Sequence, residues 1–219
     1  MSRRLFVLRP EPGAGATVAR AKLLGIAAEA VPLFEVIALP WAMPDAVFDA
    51  LLLTSANAVR VRGAGLAALR AFPVHAVGEA TAEAARAAGF TVASVSDGGV
   101  GAVRLPVGAR VLHLCGEDHV AVPRVTAVAV YAARSLPVHE ALRGLSGHVA
   151  AVHSARAGAR LRVLVDTLGL RKETIALVAI SARAAAAAGR GWEQVAVAAR
   201  PTDAAVVELA ARLCHTMRR

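Results

Sequence analysis

Hydroxyl side chains recur at one kind of place in this sequence. Thr54 and Ser55 follow the apolar run Val47 to Leu53. Thr81 comes just after Val74-His75-Ala76-Val77-Gly78, Ser154 follows Val149-Ala150-Ala151-Val152, and Ser181 follows Ile175 to Ile180. Each run is short and leads into an Ala-rich stretch, so the hydroxyls fall at or just after the C-terminal ends of predicted strands. In open parallel sheets that edge holds ligands, beside helix N-termini whose free N–H groups favour anions. A hydroxyl there also caps the helix, worth about 1 kcal/mol. Taken singly, each fits a cap; taken together they outline ligand-facing rims suited to an anion. Arg9, directly after the first strand, adds positive charge to such a rim. Tyr131 is the single tyrosine, in an extended segment. A tyrosine is commonly a core or interface residue, but a phenol facing a cleft can also donate a proton to a leaving hydroxyl.

Other chemistries find little support. There is no Walker loop and no G-x-S-x-G. Gly13-Ala14-Gly15-Ala16 lacks the third glycine of a dinucleotide fingerprint. Gly98-Gly99-Val100-Gly101 follows Asp97 rather than joining a strand to a long helix, and reads as a surface loop. His113 and His119 read as ordinary strand and loop histidines. Cys115 and Cys214 are the only cysteines, far apart, with no C-x-x-C spacing. They are expected to be reduced and partly buried, and no metal site is expected.

Composition sets the frame. The chain has 219 residues, with 57% hydrophobic and 19% charged, which excludes a disordered chain. Mean hydropathy is +0.55, yet the apolar excess is largely Ala and Val, broken often by charge or proline. No stretch reaches the roughly 20 apolar residues a spanning helix needs. The N-terminal residues run straight into a strand-like segment, so a cytoplasmic protein without a membrane partner is expected. Net charge is +9, and Lys22 and Lys172 are the only lysines. Arg forks match carboxylates and phosphates. A nucleic-acid partner is not expected: aromatics are 4%, and no Lys/Arg cluster is present.

The elements that must position these residues alternate. Strands are expected at Leu5 to Leu8, Val47 to Leu53, Val74 to Val77, Val92 to Val95, Val111 to Leu114, Val125 to Tyr131, Val149 to Val152, Ile175 to Ile180 and Val195 to Ala198. Helices are expected at Gly13 to Ala28, Ala80 to Ala88, Arg156 to Leu168, Ala182 to Ala188 and Asp203 to Cys214. Short buried strands alternating with helices imply parallel sheets covered on both faces, an α/β fold. The segment Leu53 to Arg60 echoes Val152 to Ala159, and Ala76 to Ala82 echoes Ala179 to Ala185, which suggests two similar lobes. Phe34 to Pro44 and Val128 to Pro137 read as the connections. The expected division is a discontinuous lobe of 1–35 and 136–219, a second lobe of 40–128, and linkers at 36–39 and 129–135.

Specific segments then suggest a family. Leu8-Arg9-Pro10, Leu53-Thr54-Ser55-Ala56-Asn57-Ala58-Val59, Ala76-Val77-Gly78-Glu79-Ala80-Thr81-Ala82 with Gly89-Phe90, and Val130-Tyr131 occur in order. His153-Ser154-Ala155, Ala179-Ile180-Ser181 and Pro201-Thr202 follow. With these, the chain resembles the uroporphyrinogen-III synthases over nearly its whole length. The resemblance implies two flavodoxin-like parallel-sheet lobes joined by a two-stranded β-ladder, with the substrate between them. It implies a cofactor-free, metal-free lyase, monomeric and cytoplasmic, that closes the linear tetrapyrrole hydroxymethylbilane with inversion of ring D and loss of water. Tyr131 would assist departure of the hydroxyl. Arg9, Thr54, Ser55, Thr81, Ser154 and Ser181 would hold substrate carboxylates.

Three departures mark this chain. Ala184 stands where the family usually has Thr, and Ser181 where it usually has Gly. Only His119 to Arg124 separates Cys115-Gly116-Glu117 from the next strand, where the family usually carries a helix. They keep an alternative in view: a two-lobed tetrapyrrole or polyanion binder without turnover.

Overall fold

A computed structural model describes residues 3–61, 65–96 and 100–215. Gly98 and Gly99 of the glycine-rich segment lie outside the described residues. The chain divides into two compact units, Met1–Glu35 with Ser135–Arg219, and Val36–Arg134.

The first unit builds a five-stranded sheet from β1 (Leu5–Val7), β2 (Ala28–Ala30), β9 (Val149–Val152), β10 (Ala176–Ala179) and β11 (Gln194–Val197). Its spatial order is β11-β10-β9-β1-β2, and every pairing is parallel. Counted in chain order, this is the flavodoxin arrangement 2-1-3-4-5, which reverses direction between β1 and β9. The strands are Ala/Val/Leu runs because both faces are buried: Leu5, Val7, Val149, Ala150, Ala151 and Val152 are fully buried. On one face α1 (Gly13–Leu23) and α6 (Asp203–His215) supply Ala14, Ala21, Val206, Val207, Ala210 and Leu213 to the core. The remaining helices, α4 (Ala155–Thr167) and α5 (Ala182–Ala188), pack closely on each other.

The second unit carries a six-stranded sheet in the order β3-β8-β7-β4-β5-β6. Its members are β3 (Phe34–Ala38), β4 (Ala50–Leu53), β5 (Val74–Val77), β6 (Val92–Ser96), β7 (Val111–Gly116) and β8 (Val125–Ser135). From β6 through β8 every pairing is parallel. Counted from β4, these five strands run 3-2-1-4-5, reversing between β4 and β7. Two helices, α2 (Asn57–Arg60) and α3 (Glu79–Ala87), belong to this unit. The core gathers Leu51, Leu53, Val74, Ala76, Leu112, Leu114 and Val130 with Ala82, Ala85 and Phe90. β3 and β8 are neighbours at one end of this sheet.

Several element bounds differ from the sequence reading. The first helix ends at Leu23 rather than Ala28, because Gly25 takes a left-handed φ of 71° and starts a new strand direction. Ala28–Ala30 is then a strand on β1, although alanine and glutamate give it no β-forming character of their own. Val125–Ser135 is one eleven-residue strand where the sequence suggested a strand and then a connection. Residues 117–124 contain no helix. Among the described residues no helix is long and apolar enough to cross a membrane.

Candidate functional site

In each unit the strand order reverses at one point, and in open α/β sheets ligands bind outside the C-terminal strand ends at such a point. In the second unit that point lies between β4 and β7. Thr54 and Ser55 follow β4 directly and are both partly exposed. Ser55 Oγ accepts from the Asn57 N–H at 3.2 Å. Thr54 Oγ1 lies 3.0 Å from Nε2 of His113 in β7. The side chain of His113 is fully buried. Burial, with help from nearby His119, pushes it down to about 4, so it is neutral at physiological pH.

Tyr131 reaches the same edge through an irregularity in β8. Cys115 pairs with Ala129, but Gly116 pairs with Tyr131, so Val130 is an extra residue on the β8 side. Such a bulge re-aims the side chain that follows it. Val130 is buried in the core, and Tyr131 packs against that core while staying partly exposed. A Cβ on Gly116 would stand 2.7 Å from Tyr131 Cζ, so glycine there makes room for the ring. Burial raises the Tyr131 phenol above its ordinary value, while its interaction with the Ser55 hydroxyl acts the other way. At neutral pH the phenol therefore keeps its proton. Thr81 lies in the first turn of α3, buried, its N–H donating to Gly78 O at 3.0 Å. Gly78 holds a φ of 79°, which bends the chain from β5 into α3.

In the first unit the reversal lies between β1 and β9. Arg9 follows β1 and turns back over α1: a Cβ on Gly13 would stand 2.6 Å from its Nε. The Gly13 space thus serves a guanidinium of this chain. Arg9 Nη1 donates to Asp203 Oδ1 at 3.2 Å, and Thr17 Oγ1 donates to the same oxygen at 2.6 Å. His153 Nε2 is 2.9 Å from it, and Arg20 donates to Asp203 Oδ2. Burial alone would raise the Asp203 carboxyl, but hydrogen bonds from His153 and Thr17 and the charge of Arg9 outweigh it and hold it at about 2. His153 is lowered, chiefly by burial. Two guanidiniums face one carboxylate, so the cluster stays net positive.

The serines of this unit act as helix caps. Ser154 Oγ accepts from Ala157 N–H at 3.1 Å and opens α4. Ser181 Oγ accepts from Ala184 N–H at 3.3 Å and opens α5. Ala184 is fully buried, where its carbonyl closes on Gly158 of α4.

The structure therefore brings Ser55 to Tyr131 and Thr54 to His113 in one unit, and gathers Arg9 into a cluster in the other. The sequence reading missed Thr17, Arg20 and Asp203 as partners of Arg9, and His113 as the partner of Thr54. For Asp203 the one signal was an acidic residue opening the last helix just after Pro201-Thr202. The cysteines are free and buried, and burial pushes both thiols up to about 11; neither is a ready nucleophile. Among the described residues no cluster of three or more His, Cys, Asp or Glu could hold a metal ion.

The uroporphyrinogen-III synthase HemD family profile matches residues 15–208. No curated protein matches the sequence. A uroporphyrinogen-III synthetase from Helicobacter pylori 26695 is similar in fold, with a TM-score of 0.68, 18% identity, and coverage of 96% of this chain and 99% of that one. A mutant uroporphyrinogen III synthase from the extremely thermophilic bacterium Thermus thermophilus matches with a TM-score of 0.54, 20% identity, and coverage of 95% and 98%. With a family profile spanning nearly all of its length, and with the two-sheet α/β architecture described above, this chain belongs to the uroporphyrinogen-III synthase family.

Proposed function

We propose that the protein is a uroporphyrinogen-III synthase of tetrapyrrole (haem) biosynthesis, a lyase that cyclises hydroxymethylbilane to uroporphyrinogen III with loss of water. The observation that carries this reading is a protonated phenol, Tyr131, placed by a bulge beside the Ser55 hydroxyl at the C-terminal strand edge. In this mechanism Tyr131 donates its proton toward the hydroxymethyl oxygen as the C–O bond breaks, and water leaves. The cation left behind is attacked by ring D at its substituted carbon. The spiro intermediate fragments and recloses with ring D inverted, and a ring proton is lost to restore the charge balance. The free substrate closes unaided to the other isomer, so much of the enzyme's task is to hold ring D for the inverted attack.

The substrate carries eight carboxylates. Arg9, Thr54, Ser55, Thr81, Ser154 and Ser181 are assigned to them, through side chains and the adjoining backbone N–H groups. No cofactor or metal is assigned a step. The lobes are taken as 1–35 with 136–219, and 40–128, with 36–39 and 129–135 as connections, in a cytoplasmic monomer.

The helix-free segment 117–124 and the apolar burial of Ala184 favour a second reading, a tetrapyrrole binder without turnover. An isomer-resolved assay of Tyr131→Phe separates the two. The synthase reading expects the variant to fold normally and to lose about 10²-fold in kcat, in the range of general acid catalysis. An unchanged rate removes the proton-donor role.

A further inference from the structure

Leu52 of β4 pairs with His113 of β7. Side chains alternate along a strand, so Thr54 stands on the same side of the sheet as Leu52, diagonal to His113. The imidazole crosses that diagonal and meets Thr54 Oγ1 through Nε2 at 3.0 Å. His113 is fully buried, and its Nδ1 has no hydrogen-bond partner among the described residues. The His119 ring meets it edge-on, with centroids 5.7 Å apart. Among the described residues His113 is also the one hydrogen-bond partner of the Thr54 hydroxyl.

These facts fix a direction. A neutral imidazole carries one N–H. Were it on Nδ1, a donor would be buried with no acceptor, the rarer kind of defect in folded proteins. Were it on Nε2, that N–H donates to Thr54 and Nδ1 presents only a lone pair. In the second arrangement Thr54 Oγ1 is already an acceptor, and its own O–H is free to donate outward. Thr54 is partly exposed, so that proton can reach a ligand.

We propose that His113 is a positioning residue: its Nε2–H holds Thr54 as a one-way hydrogen-bond donor, aimed at a carboxylate of the ligand at the end of β4. The proposal rests on the function proposed above for the choice of a carboxylate ligand. It gives the site a sign. An anionic or carbonyl acceptor is bound, whereas a donor group meets a hydroxyl already turned the wrong way.

Two measurements on the intact protein test it without relying on turnover. In the first, 15N-labelled histidine is observed by long-range heteronuclear NMR between pH 5.5 and 8. His113 is expected as the neutral Nε2–H tautomer throughout; the Nδ1–H tautomer or an imidazolium overturns the proposal. In the second, binding of the octacarboxylate uroporphyrin III is followed by fluorescence titration. His113→Phe is expected to weaken binding about tenfold, the order of one hydrogen bond to a charged group. Thr54→Val should do the same, and the double variant should be no worse than either single one. His113→Gln, which places an N–H near the original Nε2, should bind within about threefold of the wild type, by the same hydrogen-bond argument. Equal binding by the wild type and His113→Phe overturns the proposal, and so does loss on His113→Gln as large as on His113→Phe. If the phenylalanine variant does not fold, the tautomer of the wild type and the Thr54→Val titration decide. A wild type that binds the porphyrin but makes no type III isomer defeats the proposed function and leaves this inference standing.

Discussion

Arg9 and Asp203 are 194 positions apart in the chain, yet Arg9 Nη1 donates to Asp203 Oδ1 at 3.2 Å. The contact ties the end of β1 to the first turn of α6. It also gives the guanidinium after β1 a fixed anchor, because Thr17, Arg20 and His153 converge on the same carboxylate.

Removing that carboxylate takes the shared acceptor from Arg9, Arg20 and His153, while Thr17 keeps the Gly13 carbonyl at 2.9 Å. Asp203→Ala should therefore destabilise the protein by about 2 kcal/mol, since partly buried charged groups lose their partner. Asp203→Asn keeps a carbonyl and should cost less. Urea unfolding of the two variants checks both the size and the order. Equal stability of Asp203→Ala and the wild type would show the cluster to be energetically idle.

The same cluster sets an acid response. Asp203 has its folded value at about 2, below its ordinary 3.8. Its contribution is complete above about pH 4 and is lost as pH falls toward 2. His75, His113 and His153 are all lowered, chiefly by burial. Below about pH 6.5 the unfolded chain takes up their protons first, so stability falls further as pH drops. For His113 that loss continues down to about 4 and amounts to roughly 3 kcal/mol. Stability should thus decline steadily from pH 6.5 to 2, and His113→Phe should flatten the upper part of the curve. Denaturant midpoints at a series of pH values give the slope; a flat profile between 6.5 and 4 contradicts the burial argument.

Much of the architecture was legible in the sequence because parallel strands buried on both faces must be short apolar runs. Val74–Val77 and Val149–Val152 coincide with their strands, and Ala182–Ala188 with its helix. Ser154 and Ser181 were readable as caps because a cap is a local device, satisfied by an N–H three residues on. The missed features are non-local. Nothing near Asp203 announces Arg9 and His153, and the partnership of Thr54 with His113 depends on β4 lying beside β7. The β8 bulge also leaves no mark: Ala129-Val130-Tyr131 alternates no differently from a regular strand. Ala28–Ala30 is a strand by tertiary pairing alone.

The bulge makes a sharp prediction at Gly116. Its backbone does not need glycine, since its φ is not in the left-handed region, but a Cβ would meet the Tyr131 ring at 2.7 Å. The ring tip can move, so Gly116→Ala should change stability by less than about 1 kcal/mol, below the usual overpacking cost. Activity should fall instead, because the phenol is displaced by a fraction of an ångström or more. The check is kcat beside thermal unfolding; a stable variant with full kcat would contradict the role assigned to Tyr131.

Gly158 gives the opposite pattern. A Cβ there would stand 2.5 Å from the backbone carbonyl of Ala184 and 3.1 Å from Ala188 N. Backbone cannot swing aside as a ring tip can, so α4 and α5 must separate. Gly158→Ala should cost about 1–3 kcal/mol by overpacking. A shift of the urea midpoint measures it; no shift would mean that the two helices yield freely.

The central claim is tested most directly by the isomer the protein makes. Hydroxymethylbilane is generated in situ with the protein present, the product is oxidised, and type I and type III porphyrins are separated by chromatography. The account predicts predominantly type III, at a rate above spontaneous closure. Type I alone, at the spontaneous rate, contradicts it and leaves the chain as a binder on a synthase fold.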